Sequence, residues 1–331
     1  MPDPALVAFL VAAVLAYVYA FVSGFTDAAN AIATAVGTRA LSPTQAVLVG
    51  ALFEVLGALT GTAVALTIGR GIVPPELVGQ GAVVAALLGA MTWSLSTYRL
   101  GIPVSETHGL IGGIVGVGLA YAGPAEINWL GLVPILLAIV VSPALGILGG
   151  ALLLALVWVI ASRFPRRKAA LVFRQLQRVS AAYMAFSHGR NDAQKPMGIL
   201  VLAIGISFGP TDGVPLWVIL SVGAIAGLGV AAGGWRIIRT LGLRVTGLTP
   251  EQGFAAETAA ASVLQLASEA GIPVSTTHTI TSAIVGVGAL RNWRAIRWTL
   301  VGEIALSWLL TLPATILFGF GFALLARALF G

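Results

Sequence analysis

The chain has 331 residues, of which only 9% are Asp, Glu, Lys or Arg and 58% are hydrophobic. A soluble domain carries about 25% charged residues, so this composition excludes a water-soluble globular protein and calls for lipid around the outward-facing side chains. The net charge is +6, but the basic residues fall in short stretches between apolar segments, a pattern of membrane orientation that argues against a nucleic-acid partner. No Cys is present, which excludes disulfides and Cys-based metal sites. We therefore expect an all-α, polytopic protein of the lipid bilayer.

The apolar segments, taken in chain order, predict ten crossings, because a membrane-spanning helix needs roughly 20 apolar residues. The predicted segments are 5–36, 45–68, 78–98, 103–121, 131–160, 179–208, 215–235, 252–270, 273–290 and 299–326. The first is predicted to be interrupted near Asp27 and the sixth near Asp192. Such breaks predict ten to twelve helices, some of them broken or re-entrant.

The basic residues predict the orientation of these crossings. Six Arg and Lys residues lie within 161–178, and the positive-inside rule places this basic linker on the cytoplasmic side. Counting crossings outward from the linker places eight further Arg residues inside and both chain ends outside. The predicted location is the cytoplasmic membrane.

Two motifs recur in the same order in each half of the chain. GIPVSETHGLIGGIVGVG from Gly101 returns as GIPVSTTHTITSAIVGVG from Gly271, and GFTDAANAIAT from Gly24 returns as GRNDAQKPMGI from Gly189, at offsets of 170 and 165 residues. The chain therefore divides into an N-terminal repeat, 1–160, the linker 161–178 and a C-terminal repeat, 179–331. Five crossings per repeat, an odd number, would insert the second repeat upside down. Inverted repeats with interrupted helices are typical of secondary transporters, which bind substrate and ions near the membrane midplane.

Acidic residues inside predicted crossings indicate function, because a charge at the bilayer centre costs about 2.5–3.5 kcal/mol on insertion scales. Asp27 and Asp192 are related by the repeat, with Asn30 three residues after the first and Asn191 directly before the second. Carboxylate and amide oxygens suit a hard cation, so these four residues are the predicted sodium ligands. A carboxylate could equally carry a proton, and the structural alternative is an Asp that caps a helix at each break.

Three further Glu residues lie within predicted crossings. Glu54 and Glu257 stand mid-span among apolar residues and are predicted to be coupling carboxylates, with a buried acid bonded to nearby backbone as the alternative. Glu303 is similarly placed but carries no recognisable motif, so its role stays open.

The GIPVS segments predict an anion site. Gly and Pro break the helix in each segment, and the new helix begins with free backbone N–H groups, which favour an anion. The hydroxyl groups predicted to contact the substrate at these helix starts belong to Ser105, Thr107, Ser275, Thr276 and Thr277. Two such starts, related by inverted symmetry, could hold a tetrahedral oxyanion from opposite sides and still release it.

Other polar residues of these motifs keep several interpretations. His108 and His278 could move protons, donate to the anion or bond to the helix backbone; three His without paired spacing do not predict zinc. Glu106 stands where the second repeat has Thr276, and it could repel an anion, pair with Arg99 or take part in coupling. Ser and His recur three residues apart in both repeats, but no motif for a strained nucleophile is present, so no enzyme activity is predicted.

These strings resemble the inorganic phosphate transporter family of secondary symporters over nearly the whole chain. The carrying segments are GFTDAANAIATAVGTRALSP from Gly24, SHGRNDAQKPMG from Ser187 and the paired GIPVS-x-TH motifs. The resemblance implies phosphate uptake with sodium or protons as coupling ions and no other cofactor, and it is compatible with a homodimer. A sulfate symporter of the same fold or an anion channel is the alternative.

The resemblance also assigns residues. Positions important for transport match Asp27, Asn30, Asn191, Asp192, Glu54, Glu257, Ser105 and Ser275. Gln194, predicted to contact phosphate, and Lys195 match the DAQK run of prokaryotic members. The chain departs from the family at Thr26, where many members have Asn or His, and in its short central segment.

Overall fold

The structure is a computed structural model that describes residues 3–71 and 79–330; both chain ends and 72–78 lie outside the described residues. Within those two ranges the regular structure is helical throughout. The helices are α1 (Pro4–Gly37), α2 (Pro43–Ala58), α3 (Ala63–Gly71), α4 (Gln80–Leu100), α5 (Glu106–Tyr121), α6 (Trp129–Ala161), α7 (Arg166–Asp192), α8 (Gln194–Phe208), α9 (Leu216–Ala232), α10 (Trp235–Arg239), α11 (Pro250–Glu269), α12 (Thr276–Asn292) and α13 (Trp298–Phe330). The all-α class is confirmed. These thirteen helices exceed the predicted ten to twelve because α3 and α10 are short pieces that follow bends.

Four of these helices, α1, α4, α6 and α13, are long and apolar enough by themselves to cross a membrane. Two bent pairs also qualify when each is counted as one span, α2 with α3 at 72° and α9 with the segment Trp235–Arg244 at 56°. Length and apolarity thus account for four to six spans in the described part of the chain. The ten crossings stay a prediction, because α5, α8 and α12 have only 16, 15 and 17 residues and α7 and α11 are more polar.

The surface of α6 shows what surrounds the protein. Leu130, Val140 and Leu152 on this helix are 84%, 71% and 70% exposed. Only lipid leaves such side chains uncovered at no cost, because hydrocarbon provides the apolar surroundings that water does not. The face therefore belongs in a bilayer.

Helix α1 corrects one prediction. The interruption expected near Asp27 is absent, and Pro4–Gly37 forms one continuous helix of 34 residues with Asp27 in its interior. The residues after Asp27 are rich in Ala, the strongest helix former, so one carboxylate does not break the helix. Asp27 is therefore not a capping residue. The break predicted near Asp192 does occur, because α7 ends at Asp192 and α8 begins two residues later.

The breaks at the GIPVS segments are confirmed in both repeats. Helix α4 ends before Gly101 and α11 ends shortly before Gly271, and these glycines have φ angles of 72° and 67°. This left-handed backbone conformation is strained for residues with a β-carbon, so glycine terminates each helix. Extended residues follow, and α5 and α12 then begin at Glu106 and Thr276.

The basic segment 161–178 is mostly helical. It is predicted to link the two repeats, and within it α7 begins at Arg166 and runs without a break to Asp192. Its Arg, Lys, Leu, Gln and Ala residues are good helix formers, which explains why the basic stretch continues the helix that follows it.

The packing of helices repeats between the two halves. Helix α5 of the first repeat packs against α13, the counterpart of α6, and α12 of the second repeat packs against α6. In the same way α4 packs against α13 and α11 packs against α6. Helix α1 packs against α9, and its counterpart α7 packs against α2. These pairings relate α5 to α12 and α6 to α13, the same correspondence that the repeated motifs give. The arrangement supports the tandem duplication and brings the two GIPVS segments together.

Candidate functional site

Asp27 and Asn30 lie three residues apart on α1 and therefore share one face of the helix, which points into the protein interior. Asp27 Oδ1 accepts a hydrogen bond from the Thr277 hydroxyl at 3.3 Å, and Asn30 Nδ2 donates to Thr277 Oγ1 at 2.8 Å and Thr276 Oγ1 at 3.2 Å. Among the described residues, Asp27 Oδ2 and Asn30 Oδ1 are buried and have no hydrogen-bond partner. Buried oxygens without a donor are costly, and two of them side by side suit a cation.

The repeat-related acid, Asp192, has a different environment. Lys195 Nζ lies 2.8 Å from Asp192 Oδ1, and Thr276 donates to Asp192 Oδ2 at 3.1 Å. His188 places Nε2 3.4 Å from Asp192 Oδ2 and Nδ1 2.7 Å from Glu54 Oε2. Lys195 and His188 are fully buried, so the ammonium and the imidazole are held among carboxylates and away from water.

A close backbone contact sets the position of His188 and Asp192 against Glu54. A β-carbon added at Gly189 would lie 2.1 Å from the Glu54 carbonyl oxygen, a distance that no side chain tolerates. Glycine therefore lets α7 approach α2 closely enough for His188 to reach the Glu54 carboxylate.

Asp27, His188 and Asp192 each offer a ligand atom, and these atoms lie within 4.8 Å of one another, the spacing of a metal site. However, Lys195 already supplies a positive charge to Asp192, and the Nδ1 atom of His188 faces Glu54. A divalent metal ion at this position would be repelled by the Lys195 ammonium. The donor atoms that remain without partners on α1, a carboxylate and an amide oxygen, suit a monovalent hard cation better than a transition metal.

The two GIPVS segments are tied to each other crosswise. Thr107 donates to the Val274 carbonyl and Thr277 donates to the Val104 carbonyl, both at 2.9 Å. These bonds are equivalent under the repeat, so the starts of α5 and α12 meet face to face. The structure thus brings together Thr107 and Thr277, two of the predicted substrate residues.

The Ser residues of these segments cap their helices. Ser105 accepts a hydrogen bond from His108 N at 3.2 Å, and Ser275 accepts one from His278 N at 3.1 Å. Each hydroxyl keeps its proton, so it can still donate to a ligand at the helix start. The rings of His108 and His278 lie 4.9 Å apart, and His278 stacks on Trp308 at 3.9 Å.

Glu106 does not pair with Arg99, one of the interpretations left open by the sequence. Its carboxylate accepts hydrogen bonds from Thr26, at 2.8 Å, and from Ser94. Thr26 is the residue at which the chain departs from the family pattern, and this contact gives it a role as a hydroxyl donor to a buried acid.

Glu257 forms a second acidic group at some distance from Asp27. It accepts hydrogen bonds from Thr34 at 2.5 Å, from Gln177 at 3.2 Å and from Ser180. Thr34 follows Asp27 by seven residues on α1, which places the two groups about 10 Å apart along the helix axis. Glu257, a residue of α11, thus contacts α1 two turns after Asp27 and lies outside the cluster around Asp27.

Two predicted site residues make contacts that hold the fold. Gln194 Oε1 accepts from Val64 N at 2.8 Å and Ala65 N at 3.2 Å, which caps the start of α3. Asn191 Nδ2 donates to Ser268 Oγ at 2.9 Å, and its Oδ1 is buried without a hydrogen-bond partner among the described residues. Glu303 is exposed on α13 and lies away from these groups.

The buried part of the described structure holds more carboxyl groups than basic groups. Five carboxyl groups are at most 4% exposed, whereas Lys195 is the buried ammonium among the described residues. The buried acids are Asp27, Glu54, Glu106, Asp192 and Glu257. Burying charge without compensation is strongly unfavourable, so the site favours bound cations or protons, and an anion entering alone would be repelled.

The sequence did not identify His188 as a site residue, nor the pairing of Lys195 with Asp192. Lys195 could have been found, because it lies at the 165-residue offset from Asn30 and an intramembrane Lys needs a partner. His188 lies in the quoted SHGRNDAQK string, but its partner Glu54 is 134 residues away. No local pattern predicts that contact.

The profile of the phosphate transporter family matches residues 23–319. The chain belongs to this family. Its members are transporters and not enzymes, and the apolar helices of this transporter make it a multi-pass membrane protein.

Individual relatives agree with the family assignment. The transporter is 46% identical over 288 residues to a "Probable low-affinity inorganic phosphate transporter" of Rhizobium meliloti (strain 1021), with 85% of each chain covered. It is 38% identical over 289 residues to a protein of the same description from Bacillus subtilis (strain 168), with 86% of each covered. Among solved structures, "The sodium-dependent phosphate transporter" matches with a TM-score of 0.89 and 28% identity, covering 97% of this chain and 99% of that one.

Proposed function

We propose that this protein carries inorganic phosphate across the cytoplasmic membrane together with sodium, by alternating access between two inverted repeats. In this proposal 1–160 and 179–331 are the repeats and both chain ends lie outside. The observation that carries it is the buried excess of carboxylates beside two helix starts that offer hydroxyl and backbone donors.

The coupling cation is proposed to bind at Asp27 and Asn30. Asp27 Oδ2 and Asn30 Oδ1, which have no hydrogen-bond partner among residues 3–71 and 79–330, provide a carboxylate and an amide ligand in a buried position. A sodium ion there would satisfy both oxygens and reduce the negative charge of the cluster. The similarity to a solved structure of a sodium-dependent phosphate transporter favours sodium over a proton.

Phosphate is proposed to bind between the starts of α5 and α12. Hydroxyl donors from Ser105, Thr107, Ser275, Thr276 and Thr277 surround this position. Binding would exchange the crosswise bonds from Thr107 to Val274 and from Thr277 to Val104 for bonds to the anion. A divalent anion in a low-dielectric site is strongly disfavoured by itself, so cations and phosphate must bind together. Gln194, which caps α3, is proposed to support this site by holding α3 and α8 together.

The proposal is tested by uptake of labelled phosphate into proteoliposomes under a sodium gradient, a proton gradient or neither. We expect saturable, sodium-driven uptake and counterflow of preloaded phosphate. Uptake driven by a proton gradient alone would show that the coupling ion is the proton and not sodium. Uptake that is independent of both gradients would refute symport.

Two controls separate the alternatives. Unlabelled sulfate added in excess should leave phosphate uptake largely intact; if sulfate competes as well as phosphate does, the anion assignment is wrong. Continuous conductance in planar bilayers without counterflow would indicate a channel.

A further inference from the structure

The two repeats treat their equivalent Asp residues differently. In the first repeat, Asp27 Oδ1 accepts from the Thr277 hydroxyl at 3.3 Å and Oδ2 is buried without a partner in the described structure. In the second repeat, Asp192 Oδ2 accepts from the Thr276 hydroxyl at 3.1 Å, and Oδ1 lies 2.8 Å from Lys195 Nζ. Each Asp therefore uses one oxygen for a Thr hydroxyl, but only Asp192 has a positive charge on the other.

Lys195, which supplies this charge, is the repeat equivalent of Asn30, a predicted cation ligand. The offset of 165 residues that relates Asp27 to Asp192 also relates Asn30 to Lys195. Asn30 presents beside Asp27 a buried amide oxygen that has no hydrogen-bond partner in the described part of the chain. Lys195, at the equivalent place, presents an ammonium group that is itself fully buried.

We propose that Lys195 is a tethered cation, which occupies at Asp192 the place that a mobile coupling ion takes at Asp27. This inference rests on the proposed function. It removes Asp192 from the sodium ligands of the unmodified chain, because the ammonium of Lys195 already supplies one positive charge there and repels a second. The transporter would then use one mobile cation fewer per phosphate than a symmetric pair of sites would.

Lys195 could instead be a direct ligand of phosphate, and the geometry weighs against this role. Its nitrogen lies at 2.8 Å from a carboxylate, and it reaches that carboxylate from three residues along the chain, across the short break between α7 and α8. Lys195 is also followed by Pro196, so the local backbone is restrained. An ammonium at this distance neutralises Asp192 without needing the anion.

The decisive experiment counts sodium ions in the variant Lys195→Asn, which gives the second repeat the Asp/Asn pair of the first. Phosphate accumulation in proteoliposomes is measured at equilibrium, at zero voltage and equal pH, against the size of the sodium gradient. At equilibrium the ratio of internal to external phosphate follows the sodium concentration ratio raised to a power, which is the number of sodium ions carried per phosphate. One extra sodium ion per phosphate raises this power by one. Across a sodium gradient of about tenfold, the variant should therefore accumulate about tenfold more phosphate than the unmodified protein.

Matched variants define the controls. Lys195→Arg keeps the charge, and Lys168→Asn removes the other lysine of the chain, which is exposed near the start of α7. Lys168→Asn should keep the original power. In Lys195→Arg, and in the double variant Asp192→Asn/Lys195→Asn, which removes both charges, sodium should raise the melting temperature in detergent no more steeply than in the unmodified protein. An unchanged power in Lys195→Asn, with a raised KM for phosphate, would overturn the proposal and make Lys195 a phosphate ligand.

A binding measurement keeps the test independent of transport. In detergent, sodium should raise the melting temperature of Lys195→Asn more steeply than that of the unmodified protein, because each ion that binds only the folded state adds stability. No additional sodium effect would refute the tethered cation even if the variant does not transport. If the unmodified protein takes up phosphate without any cation gradient, the proposed coupling fails, and the binding comparison alone then decides the role of Lys195.

Discussion

The variant Asp27→Asn tests the proposed sodium site most directly, because it changes charge and little else. The Asn side chain has the same shape and its carbonyl oxygen can still accept from Thr277, a bond of 3.3 Å in the structure. The position that Oδ2 holds, buried and without a partner, would become an uncharged amide group. We therefore expect the fold to persist and the cation site to fail.

The magnitude follows from the loss of one charged ligand. Contacts with a charged partner contribute about 1.5–3 kcal/mol, which corresponds to roughly a tenfold to hundredfold loss of affinity. The sodium concentration for half-maximal phosphate uptake should rise by that factor. The KM for phosphate, measured at saturating sodium, should change much less.

Asp3→Asn is the matched control, because Asp3 caps the same helix at its exposed end and Asn caps equally well. Its sodium dependence should be that of the unmodified protein. Melting curves in detergent should show that both variants are folded. A folded Asp27→Asn protein with unchanged sodium dependence would refute the assignment of Asp27 as a cation ligand.

Three other substitutions test the packing around the site, each by melting temperature in detergent. Gly189→Ala should destabilise the protein by about 1–3 kcal/mol, because overpacking forces the backbones of α7 and α2 apart, whereas Gly205→Ala, where a β-carbon meets open space, should not; equal melting of the two would contradict the close contact. Glu54→Ala should cost about 3–5 kcal/mol because it leaves His188 without its buried partner, and a loss near zero would show that the pair contributes nothing. Gln194→Ala should cost about 1 kcal/mol through the lost cap at the start of α3, and an unchanged melting temperature with a raised KM for phosphate would instead make Gln194 a substrate contact.

The sequence predicted the helix breaks wherever the chain signals them locally. Gly101 and Gly271 adopt a left-handed conformation that terminates a helix, and the Pro two residues later prevents its resumption. The interruption predicted near Asp27 is wrong for the same local reason, since no glycine or proline follows it before Gly37, where α1 ends, and an Ala-rich stretch continues the helix. A charge by itself is a poor signal of a break, because a helix can bury a carboxylate when tertiary partners receive it.

The site was predictable to the extent that the repeat exposes it. Asp27, Asp192 and the Thr residues stand out because polar residues recur inside apolar segments. What the repeat cannot give is which residues of different helices meet. Glu54 reaches His188 and Glu257 reaches Thr34, contacts that depend on how α2 and α11 pack against α7 and α1.

Thr277 provides the physical link between the proposed cation and phosphate sites. Its hydroxyl has one proton and faces two acceptors, the Val104 carbonyl at 2.9 Å and Asp27 Oδ1 at 3.3 Å, and it also accepts from Asn30 at 2.8 Å. A cation bound at Asp27 Oδ2 and Asn30 Oδ1 draws electron density from the two side chains that contact this hydroxyl, and so changes where its proton is held. A phosphate between the helix starts draws it away from Val104. Because each ligand changes the hydrogen bonding of the same hydroxyl, each must alter the affinity for the other by the same factor, which is the requirement for coupled transport.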